Sequence, residues 1–412
     1  MDILASEIEG GPPPAPPVRY QEPDNWIKYD LLKVATALID AKAAVKALTT
    51  TPYQRDWVDA LQEMQLKREV AGTSRIEGAE FTERELDVAL QENLSVDAIL
   101  TKSQKQAHAA MRAYKWIEQL PKDFPVTQQL ILEVHRHLVT GCDDDHCEPG
   151  ALRGKDYNVL FGIPRHRGAE GGDLCSAVFD RLMLAVQREF KDHDLLIQAL
   201  ALHYHLAAMH PFMDGNGRTS RALEALMLQR AGLSDRAFIA MSNYYYDEQR
   251  SYLAILSEVR RNGYDLTDFL VFGLTGITLQ CNRLYAEIKK HMERALFRNM
   301  MYNLFNRLVS TRKRVIQDRQ LEILKILLTV DKMDWFELLD KTKSHYNVQN
   351  YGKMVTRDMA SLQQLGAISV TKVAEAKWNI AIRPQWPQEI TESDFFQKVA
   401  KMPKGKTYKF LP

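Results

Sequence analysis

The sequence has few of the features that mark membrane or secreted proteins. No apolar run approaches the roughly 20 residues of a membrane-spanning helix, and no basic segment before a short apolar run marks a secretory signal. Only four of the 412 residues are cysteines, and their scatter indicates reduced thiols rather than a disulfide framework. The net charge of +1 gives no global field that attracts nucleic acid or a membrane. We therefore expect a cytoplasmic protein without membrane contacts.

Two common kinds of ligand site are also missing. Cys142, His146 and Cys147 lie close together, but no second pair of ligands follows them, so a zinc site is not favoured. No GxxxxGK(S/T) motif occurs, so a polyphosphate would have to be held by another type of loop. Neither a zinc-dependent fold nor a P-loop nucleotidase is expected.

Helical periodicity dominates residues 26–312. Apolar residues recur at three- and four-residue spacing in 31–48, 104–120, 128–138, 176–190 and 195–209. Thr82 and Glu85 have the spacing of a capping box, which predicts the start of a helix. Residues 153–173 lose the period, contain a β-like run at 157–161 and end in glycines, which predicts a hairpin or flap. Residues 10–17 (GGPPPAPP) predict an extended arm outside the core.

A different pattern follows the amphipathic stretch 266–312. Helices are predicted over 318–330, 335–343 and 348–365, and two strands over 367–373 and 377–382. Three helices followed by a hairpin resemble a winged helix-turn-helix.

The winged-helix segment has a modest basic excess. Lysine and arginine outnumber aspartate and glutamate by roughly five over 312–383, and Lys353 and Arg357 lie on the predicted recognition helix. Such an excess is consistent with contacts to DNA phosphates. Packing against the same chain or a partner chain is the alternative, because few phosphates would be neutralised.

The segment 210–221, HPFMDGNGRTSR, is the most informative part of the sequence. Pro211 ends the preceding apolar helix and leaves His210 at its end, where an imidazole accepts a proton near neutral pH. Gly215 and Gly217 permit a tight turn with inward backbone amides before a helix that restarts near Arg218. The N-terminus of a helix binds anions, so a phosphate site is expected here.

Three charged residues complete this site. Arg218 and Arg221 are three apart on one helix face, and both are predicted to reach a phosphate chain. Asp214 offers the oxygen ligand that Mg²⁺ on a polyphosphate prefers. His203 and His205, two apart, face different sides of their helix, so they are interpreted as packing residues rather than a metal pair.

Segment 210–221 resembles the signature of the Fic (filamentation induced by cAMP) family, HxFx(D/E)GN(G/K)RxxR, at every specified position. Residues 149–153 (PGALR) are similar to the family's PGxxR segment, and the resemblance spans roughly 26–274. It implies a mainly α fold: a Fic-type helical bundle with a short β-hairpin flap, followed here by a winged helix-turn-helix. It also implies a protein adenylyltransferase, which moves AMP from ATP, with Mg²⁺, onto a Ser, Thr or Tyr hydroxyl of a target protein or of itself.

The resemblance assigns roles residue by residue. His210 is implied to be the base that removes the target's hydroxyl proton, Asp214 the Mg²⁺ ligand, and Phe212 the anchor of the loop. The implied phosphate-binding residues are Gly215, Asn216, Gly217, Arg218 and Arg221; the implied adenine neighbours are Tyr244 and Tyr252; and the implied target-binding flap is Asn158, Val159, Leu160 and Phe161. Residues 165–173 are longer and more polar than the family pattern, which leaves the shape of the flap open.

A second motif implies autoinhibition. Residues 73–78, TSRIEG, match the family's (S/T)xxxE(G/N) pattern. The resemblance implies that the Glu77 carboxylate pairs with Arg221 and occupies the place of the ATP γ-phosphate. A helix-terminal glutamate beside a C-capping Gly78 is the structural alternative. In some relatives this glutamate also positions water for removal of AMP, so a dual role stays open.

The sequence therefore predicts six segments. They are a proline-rich arm (1–25), a helical region with the inhibitory motif (26–115), the Fic core (116–275), a helical connector (276–312), the winged helix (313–385) and a tail (386–412). Alternative functions are a nucleotide-sensing DNA-binding regulator and the transfer of UMP, phosphocholine or phosphate. Stretch 266–312 could support a homodimer, although a core-facing helix is preferred.

Overall fold

The structure is a computed structural model that describes residues 17–52, 55–91, 100–142, 146–155, 157–162, 165–233, 237–308, 311–346, 351–375 and 377–402. The chain divides into two compact units, Met1–Ala286 and Glu287–Pro412. Within the described ranges, no helix is both long and apolar enough to cross a membrane. Of the arm predicted at 10–17, only Pro17 is among the described residues.

The first unit is almost wholly helical. Its helices are α1 Leu31–Thr50, α2 Arg55–Ile76, α3 Glu83–Ala89, α4 Lys102–Glu118, α5 Gln128–Val139, α6 Asp173–Gln187, α7 Leu195–Met209, α8 Asn216–Arg230, α9 Met241–Asp247, α10 Gln249–Arg261 and α11 Thr267–Asn306, which ends in the second unit. The helices predicted from periodicity are confirmed, and α7 agrees at both ends. The capping box of Thr82 and Glu85 is also confirmed, with both reciprocal hydrogen bonds formed.

Helix α7 forms the centre of the first unit. All its residues after Leu195 are buried, as expected for a helix that is apolar on every face. Its main neighbour is α8, which follows it after the short loop 210–215. A helix enclosed in this way has little freedom to move, so the residues at its C-terminal end have fixed positions.

A small sheet lies beside the end of α7. It consists of β1 Val18–Arg19, β2 Leu160–Phe161 and β3 His166–Arg167 in the order β1-β3-β2. Strands β2 and β3 pair antiparallel, which confirms the predicted hairpin flap, while β1 pairs parallel to β3. The sequence patterns did not predict β1. The end of the proline-rich arm thus belongs to the flap sheet, and within the described residues β2 is its other edge.

The second unit has winged-helix topology. Its elements are α12 Thr311–Leu328, β4 Met333–Asp334, α13 Trp335–Thr342, α14 Tyr351–Leu365, β5 Ile368–Ala374, β6 Lys377–Ile382, α15 Trp386–Glu389 and α16 Glu392–Lys401. The hairpin of β5 and β6 is joined by β4 in the order β4-β6-β5, so the predicted winged helix-turn-helix is confirmed and gains a third strand. A buried Arg319–Asp358 pair, 2.8 Å apart, links α12 to α14.

Candidate active site

His210 caps the C-terminus of α7 in a left-handed conformation, with a φ of 51°. Its Nδ1 lies 2.6 Å from the Ala207 carbonyl oxygen. Because a carbonyl only accepts hydrogen bonds, Nδ1 must carry the proton and Nε2 the lone pair. Burial lowers the pKa of His210 to about 4, against a smaller opposing effect of the hydrogen bond to Ala207. The ring is therefore neutral at pH 7, and its Nε2 is unprotonated and able to accept a proton.

Arg153 fixes the loop around His210. Its buried guanidinium donates through Nε to the His210 carbonyl at 2.6 Å and through Nη2 to the Ala169 carbonyl at 2.6 Å. Its backbone N–H donates to Pro211 O at 3.0 Å. One side chain thus ties the end of α7 to the segment that follows β3. The resemblance of residues 149–153 to PGxxR pointed to Arg153, but not to this role.

The loop between α7 and α8 is closed by Asn216. Its side-chain oxygen accepts from the Phe212 N–H and its amide nitrogen donates to the Phe212 carbonyl, both at 2.9 Å. Phe212 is 1% exposed, consistent with the anchoring role implied for it. Asn216 therefore shapes the loop with its side chain, so its backbone N–H is the group that remains to meet an anion.

Of the two glycines of the motif, Gly215 lies in a turn as predicted and Gly217 does not. Gly215, with a φ of 72°, makes the left-handed turn before α8. Helix α8 begins at Asn216 rather than near Arg218, so Gly217 lies in its first turn and not in the loop. The start of a helix directs backbone N–H groups outward, which suits the anion site that the motif predicts.

His135 positions the loop from α5 and was not found by sequence reasoning. Its Nε2 donates to the Asp214 carbonyl at 3.1 Å, and its Nδ1 accepts from the Gly150 N–H at 2.9 Å. Its ring stacks on Phe212 with centroids 3.7 Å apart. Burial lowers its pKa to about 4, so it stays neutral and can make both hydrogen bonds. A histidine on the buried face of an amphipathic helix carries no sequence signal that separates it from packing.

Asp214 lies beside the first turn of α8. Its Oδ1 accepts from the Gly215 N–H at 2.6 Å and its Oδ2 from Arg218 Nη2 at 3.2 Å. The carboxylate is 35% exposed, and a single accessible carboxylate suits a Mg²⁺ held mainly by phosphates. Within the described ranges, no group of three or more His, Cys, Asp or Glu side chains forms a metal cluster.

The two arginines of the motif point to different partners. Arg218, 1% exposed, contacts Asp214 and the Leu138 carbonyl. Arg221, 3% exposed, donates through Nε to the Thr73 hydroxyl at 2.9 Å and through Nη2 to Glu77 Oε1 at 2.6 Å. The motif residues of α2 and α8 are therefore brought together in the way that the resemblance implied.

The Glu77 carboxylate lies over the first turn of α8. Burial opposes its ionisation, but the Coulombic effect of Arg221 and the hydrogen bond from it outweigh burial and lower the pKa of Glu77. A Cβ atom at Gly217 would lie 2.2 Å from Glu77 Oε1, so glycine is what leaves room for this carboxylate. An anionic side chain thus lies at the place where the motif predicts a phosphate.

Helix α2 is held in this position by α9. Glu69, 1% exposed, accepts from the Ser242 N–H at 2.8 Å and from the Tyr114 hydroxyl at 2.7 Å. Its burial raises its pKa to about 7, against these hydrogen bonds. A Cβ atom at Gly72 would lie 2.5 Å from the Ser242 carbonyl carbon, so the two helices approach closely. Sequence reasoning found neither Glu69 nor Gly72.

The predicted adenine neighbours are buried among other aromatic rings. The Tyr252 hydroxyl lies 2.9 Å from His203 Nε2, and its ring stacks on Tyr245. The Tyr244 hydroxyl donates to the Phe272 carbonyl at 3.3 Å. Both rings are more than nine-tenths buried, so neither presents an open face here, and their contact with adenine stays a prediction.

His203 and His205 are packing residues, as predicted. His203 is fully buried between Glu224 and the Tyr252 hydroxyl. His205 is also fully buried, and its Nε2 lies 2.5 Å from the Trp26 carbonyl oxygen. Each ring is thus engaged within the core, and they do not converge on one point.

Residues 125–228, which include the His210 loop, Asp214 and both arginines, match the Fic/DOC family. This segment is a Fic domain. Curated relatives named "Protein adenylyltransferase Fic" include one from Drosophila ananassae, 32% identical over 163 residues, which are 39% of this chain and 31% of that protein. The relative from Culex quinquefasciatus is 38% identical over 109 residues, 26% of this chain and 20% of that protein. The chain thus spans about a third or less of the length of these relatives.

Solved structures share the Fic fold beyond the matched segment. A Fic family protein from Desulfovibrio desulfuricans G20 is similar with a TM-score of 0.55 and 15% identity, over 88% of this chain and 98% of that one. Fic-1 from C. elegans (residues 134–508) is similar with a TM-score of 0.51 and 19% identity, over 63% of this chain and 75% of that one. At these identities the similarity is one of fold.

Proposed function

We propose that this protein is a protein adenylyltransferase that transfers AMP from ATP to a Ser, Thr or Tyr hydroxyl of a target protein. The observation that carries this proposal is the neutral His210, whose Nε2 lone pair is free beside the anion-binding first turn of α8. A base next to a polyphosphate site suits removal of a hydroxyl proton followed by attack on phosphorus. The names of the curated relatives support the same reaction.

The proposed reaction proceeds in one displacement. His210 Nε2 accepts the proton of the target hydroxyl, and the oxygen forms a bond to the α-phosphorus of ATP. The bond from that phosphorus to the bridging oxygen breaks on the opposite side, and diphosphate leaves with its electron pair. The products are the AMP-modified target and diphosphate.

The phosphates are assigned to the start of α8. The backbone N–H groups of Asn216 and Gly217 would meet them, and that of Gly215 would join once it leaves Asp214 Oδ1. Arg221, with Arg218 beside it, would pair with the outer phosphates. Asp214 would hold Mg²⁺, which neutralises charge on the phosphates when bound. The adenine ring is assigned to the region of Tyr244 and Tyr252.

We further propose that Glu77 inhibits the protein. Its carboxylate pairs with Arg221 at 2.6 Å, so the γ-phosphate of ATP would have to displace it. A charge-assisted hydrogen bond of this kind contributes about 1.5–3 kcal/mol, which corresponds to roughly ten- to hundredfold in ATP affinity. A second role of Glu77, in positioning water for removal of AMP, is the alternative use of the same carboxylate.

The target is proposed to add a strand to the flap. Leu160 is 46% exposed on β2, and β2 has no further strand on its outer side within the described ranges. Asn158, Val159, Leu160 and Phe161 would bind the target backbone, which leaves the sequence around the modified hydroxyl to side-chain contacts. Self-modification would use the same edge.

The four free thiols, all buried, suit the reducing cytoplasm that we propose as the location of the protein.

Label transfer from α-labelled ATP tests the proposal. Glu77→Gly protein incubated with cell lysate, Mg²⁺ and ATP should label a protein, and mass spectrometry should find an AMP adduct on a hydroxyl. The double variant Glu77→Gly, His210→Ala should lose the label while it keeps the same melting temperature. Undiminished labelling by the double variant would refute the assigned base, and an adduct mass of UMP, phosphocholine or phosphate would refute AMP transfer.

A second candidate function, DNA binding, is supported by one observation. Lys353 and Arg357 are both exposed on α14, one turn apart on the helix that enters the major groove in winged helix-turn-helix proteins. The full chain should then shift a random DNA duplex in a salt-dependent manner, and Lys353→Glu with Arg357→Glu should abolish the shift. Lys398→Glu, at an exposed position of α16, is the matched control. An unchanged shift in the double variant would exclude α14 as the DNA contact.

A further inference from the structure

A small cavity lies between the flap, α7 and α10. Its volume is about 60 Å³, several times the roughly 10–15 Å³ that one water requires on the same measure. Its lining includes Phe161, His166, Tyr204, Leu253, Leu256 and Arg260. Phe161 is thus shared between the cavity and the flap strand β2, so any chain that binds to β2 passes close to the cavity.

The register of the flap decides how an added strand would point its side chains. Phe161 pairs with His166 in the ladder, and the Val159 carbonyl accepts from the Gly168 N–H at 3.1 Å. Backbone groups alternate along a strand, so those of Leu160 face away from β3, toward the free edge of β2. An added strand would hydrogen-bond to Leu160, and its residues opposite Val159 and Phe161, two apart, would share the face of Phe161.

That face contains both the proposed base and the cavity. The Phe161 ring stacks on His210 with centroids 3.6 Å apart, and a Cβ atom at Gly168 would lie 3.0 Å from His210 Cβ. His210 is therefore level with the Val159–Gly168 end of the ladder, whereas the cavity is level with the Gly162–His166 end. When one target side chain presents its hydroxyl to His210, the side chain two residues away lies toward the cavity.

The cavity has an unusual combination of groups. Its walls are mostly apolar, from Phe161, Leu253 and Leu256. Arg260 is 7% exposed and donates to the carbonyls of Val18 and Arg167 at 3.3 and 3.2 Å and to that of Ala208. Among the described residues, no carboxylate makes an ion pair with it. A buried cation surrounded by neutral acceptors favours an anion that can reach it.

Two other polar groups of the lining fit the same ligand. The Tyr204 hydroxyl is fully buried beside Arg260 and donates to no acceptor within the described part of the chain, so its proton can go to an incoming oxygen. His166 accepts from Arg260 through Nδ1 at 3.2 Å, and burial, with the charge of Arg260, lowers its pKa to about 4. Its neutral ring adds no negative charge that would compete for Arg260.

We propose that this cavity binds a glutamate side chain of the target, located two residues from the modified hydroxyl. The two methylene groups of glutamate would contact Phe161 and Leu256, and its carboxylate would accept from Tyr204 and pair with Arg260. The inference rests on the proposed addition of the target to β2. It gives the flap sequence specificity for the target in addition to hydrogen bonds with the target backbone.

Binding and label transfer are measured separately, so that the two proposals can fail separately. Fluorescent eleven-residue peptides carry a central Thr or Tyr and Glu, Gln, Leu, Lys or Ala two residues before or after it. Fluorescence polarisation with Glu77→Gly protein should give tighter binding for Glu than for Ala at one of the two positions, by about tenfold. Equal binding of all peptides, no binding, or a preference for Leu or Lys would overturn the inference. Transfer of label to these peptides tests the proposed function independently.

Three variants locate the preference in the cavity. Tyr204→Phe removes a hydroxyl that donates to no acceptor in the described part of the chain, so the protein should fold normally and lose most of the advantage of Glu over Ala. Leu253→Glu, 45% exposed at the cavity, should reverse the preference by repulsion. Leu184→Glu, 50% exposed on α6 and outside the lining, is the matched control and should keep the preference. A Glu preference that survives both cavity variants would mean that glutamate binds elsewhere.

Discussion

The phenyl ring of Phe161 stacks on the imidazole of His210, with centroids 3.6 Å and planes 6° apart. Phe161 belongs to β2, the flap strand proposed to bind the target, and His210 is the proposed base. The strand proposed to bind the target therefore contacts the proposed base directly. Nδ1 is already hydrogen-bonded to the Ala207 carbonyl. Stacking on Phe161 further restrains the χ2 rotation of the imidazole, so the direction of Nε2 is set.

Phe161→Leu should weaken catalysis by releasing His210. In the Glu77→Gly background we expect kcat to fall about tenfold, because a misdirected base loses most of its contribution. The imidazole should also become more hydrated, which raises its pKa and moves the acid limb of the pH–rate profile upward from pH 4. Leu160→Ala, the neighbouring and exposed position, should raise KM for the target without moving this limb. An unshifted limb in Phe161→Leu would contradict the positioning role.

Glu77→Gly should strengthen ATP binding. Removing the carboxylate frees Arg221 and the first turn of α8, so calorimetry should register an affinity at least about tenfold higher than that of the unmodified protein. Glu77→Gln keeps the shape without the charge and should fall between the two. Glu80→Gly removes an exposed acid three residues away and should change nothing. Equal ATP affinity in the unmodified protein and all three variants would contradict the assignment of Glu77 as the inhibitory residue.

The protein should lose stability as the pH falls from about 6.5 to about 4. Burial lowers the pKa of His135, His166, His205 and His210 to about 4 in the folded state, whereas unfolded histidines titrate near 6.5. In this window the unfolded state binds more protons, so the free energy of unfolding falls with pH. Glu69, with a raised pKa of about 7, acts in the opposite direction but as a single group.

Urea unfolding at pH 7, 5.5 and 4.5 measures this dependence. His205→Gln should reduce the number of protons taken up on unfolding by about one, since the replaced ring is fully buried and engaged with Trp26. His137→Gln should reduce this number by less, because burial lowers the pKa of this partly exposed histidine less strongly. An unfolding free energy that does not change between pH 7 and 4.5 would contradict buried neutral histidines.

His135→Ala should impair the loop that carries Asp214. Without the imidazole, the Asp214 carbonyl and the Gly150 N–H lose their shared partner, and the carboxylate is no longer held beside α8. We expect the Mg²⁺ concentration for half-maximal labelling to rise about tenfold in the Glu77→Gly background. His137→Ala on the same helix is the control. A Mg²⁺ dependence that stays the same would show that Phe212 and Asn216 suffice to hold the loop.

The helices could be predicted because their signals are local. Apolar spacing located α7, and the Thr82 capping box and Pro211 marked helix ends where one side chain decides the backbone. The motif 210–221 also located the site, since its residues are adjacent in sequence and meet on one loop. Local patterns thus gave the order of elements and the position of the chemistry.

The remaining features depend on contacts between distant parts of the chain. Strand β1 pairs with a partner almost 150 residues later, and a two-residue strand has no periodicity to detect. His135, Glu69 and Arg260 are single polar residues on buried faces, where sequence alone favours simple packing. Gly217 was assigned to the turn because its contact with Glu77, a residue just after α2 and far earlier in the chain, leaves no local signal.

Strand β1 gives the end of the N-terminal arm a structural role. Val18 and Arg19 cover the edge of β3 that β2 leaves open, so the hairpin presents one free edge rather than two. Cleavage or truncation after Arg19 would leave a second row of unpaired backbone groups beside the same loop, and short strands from neighbouring copies could add there. A cleavage site for an affinity tag should therefore not be placed so that Val18 and Arg19 are removed, because their loss would expose the edge of β3 to pairing between molecules.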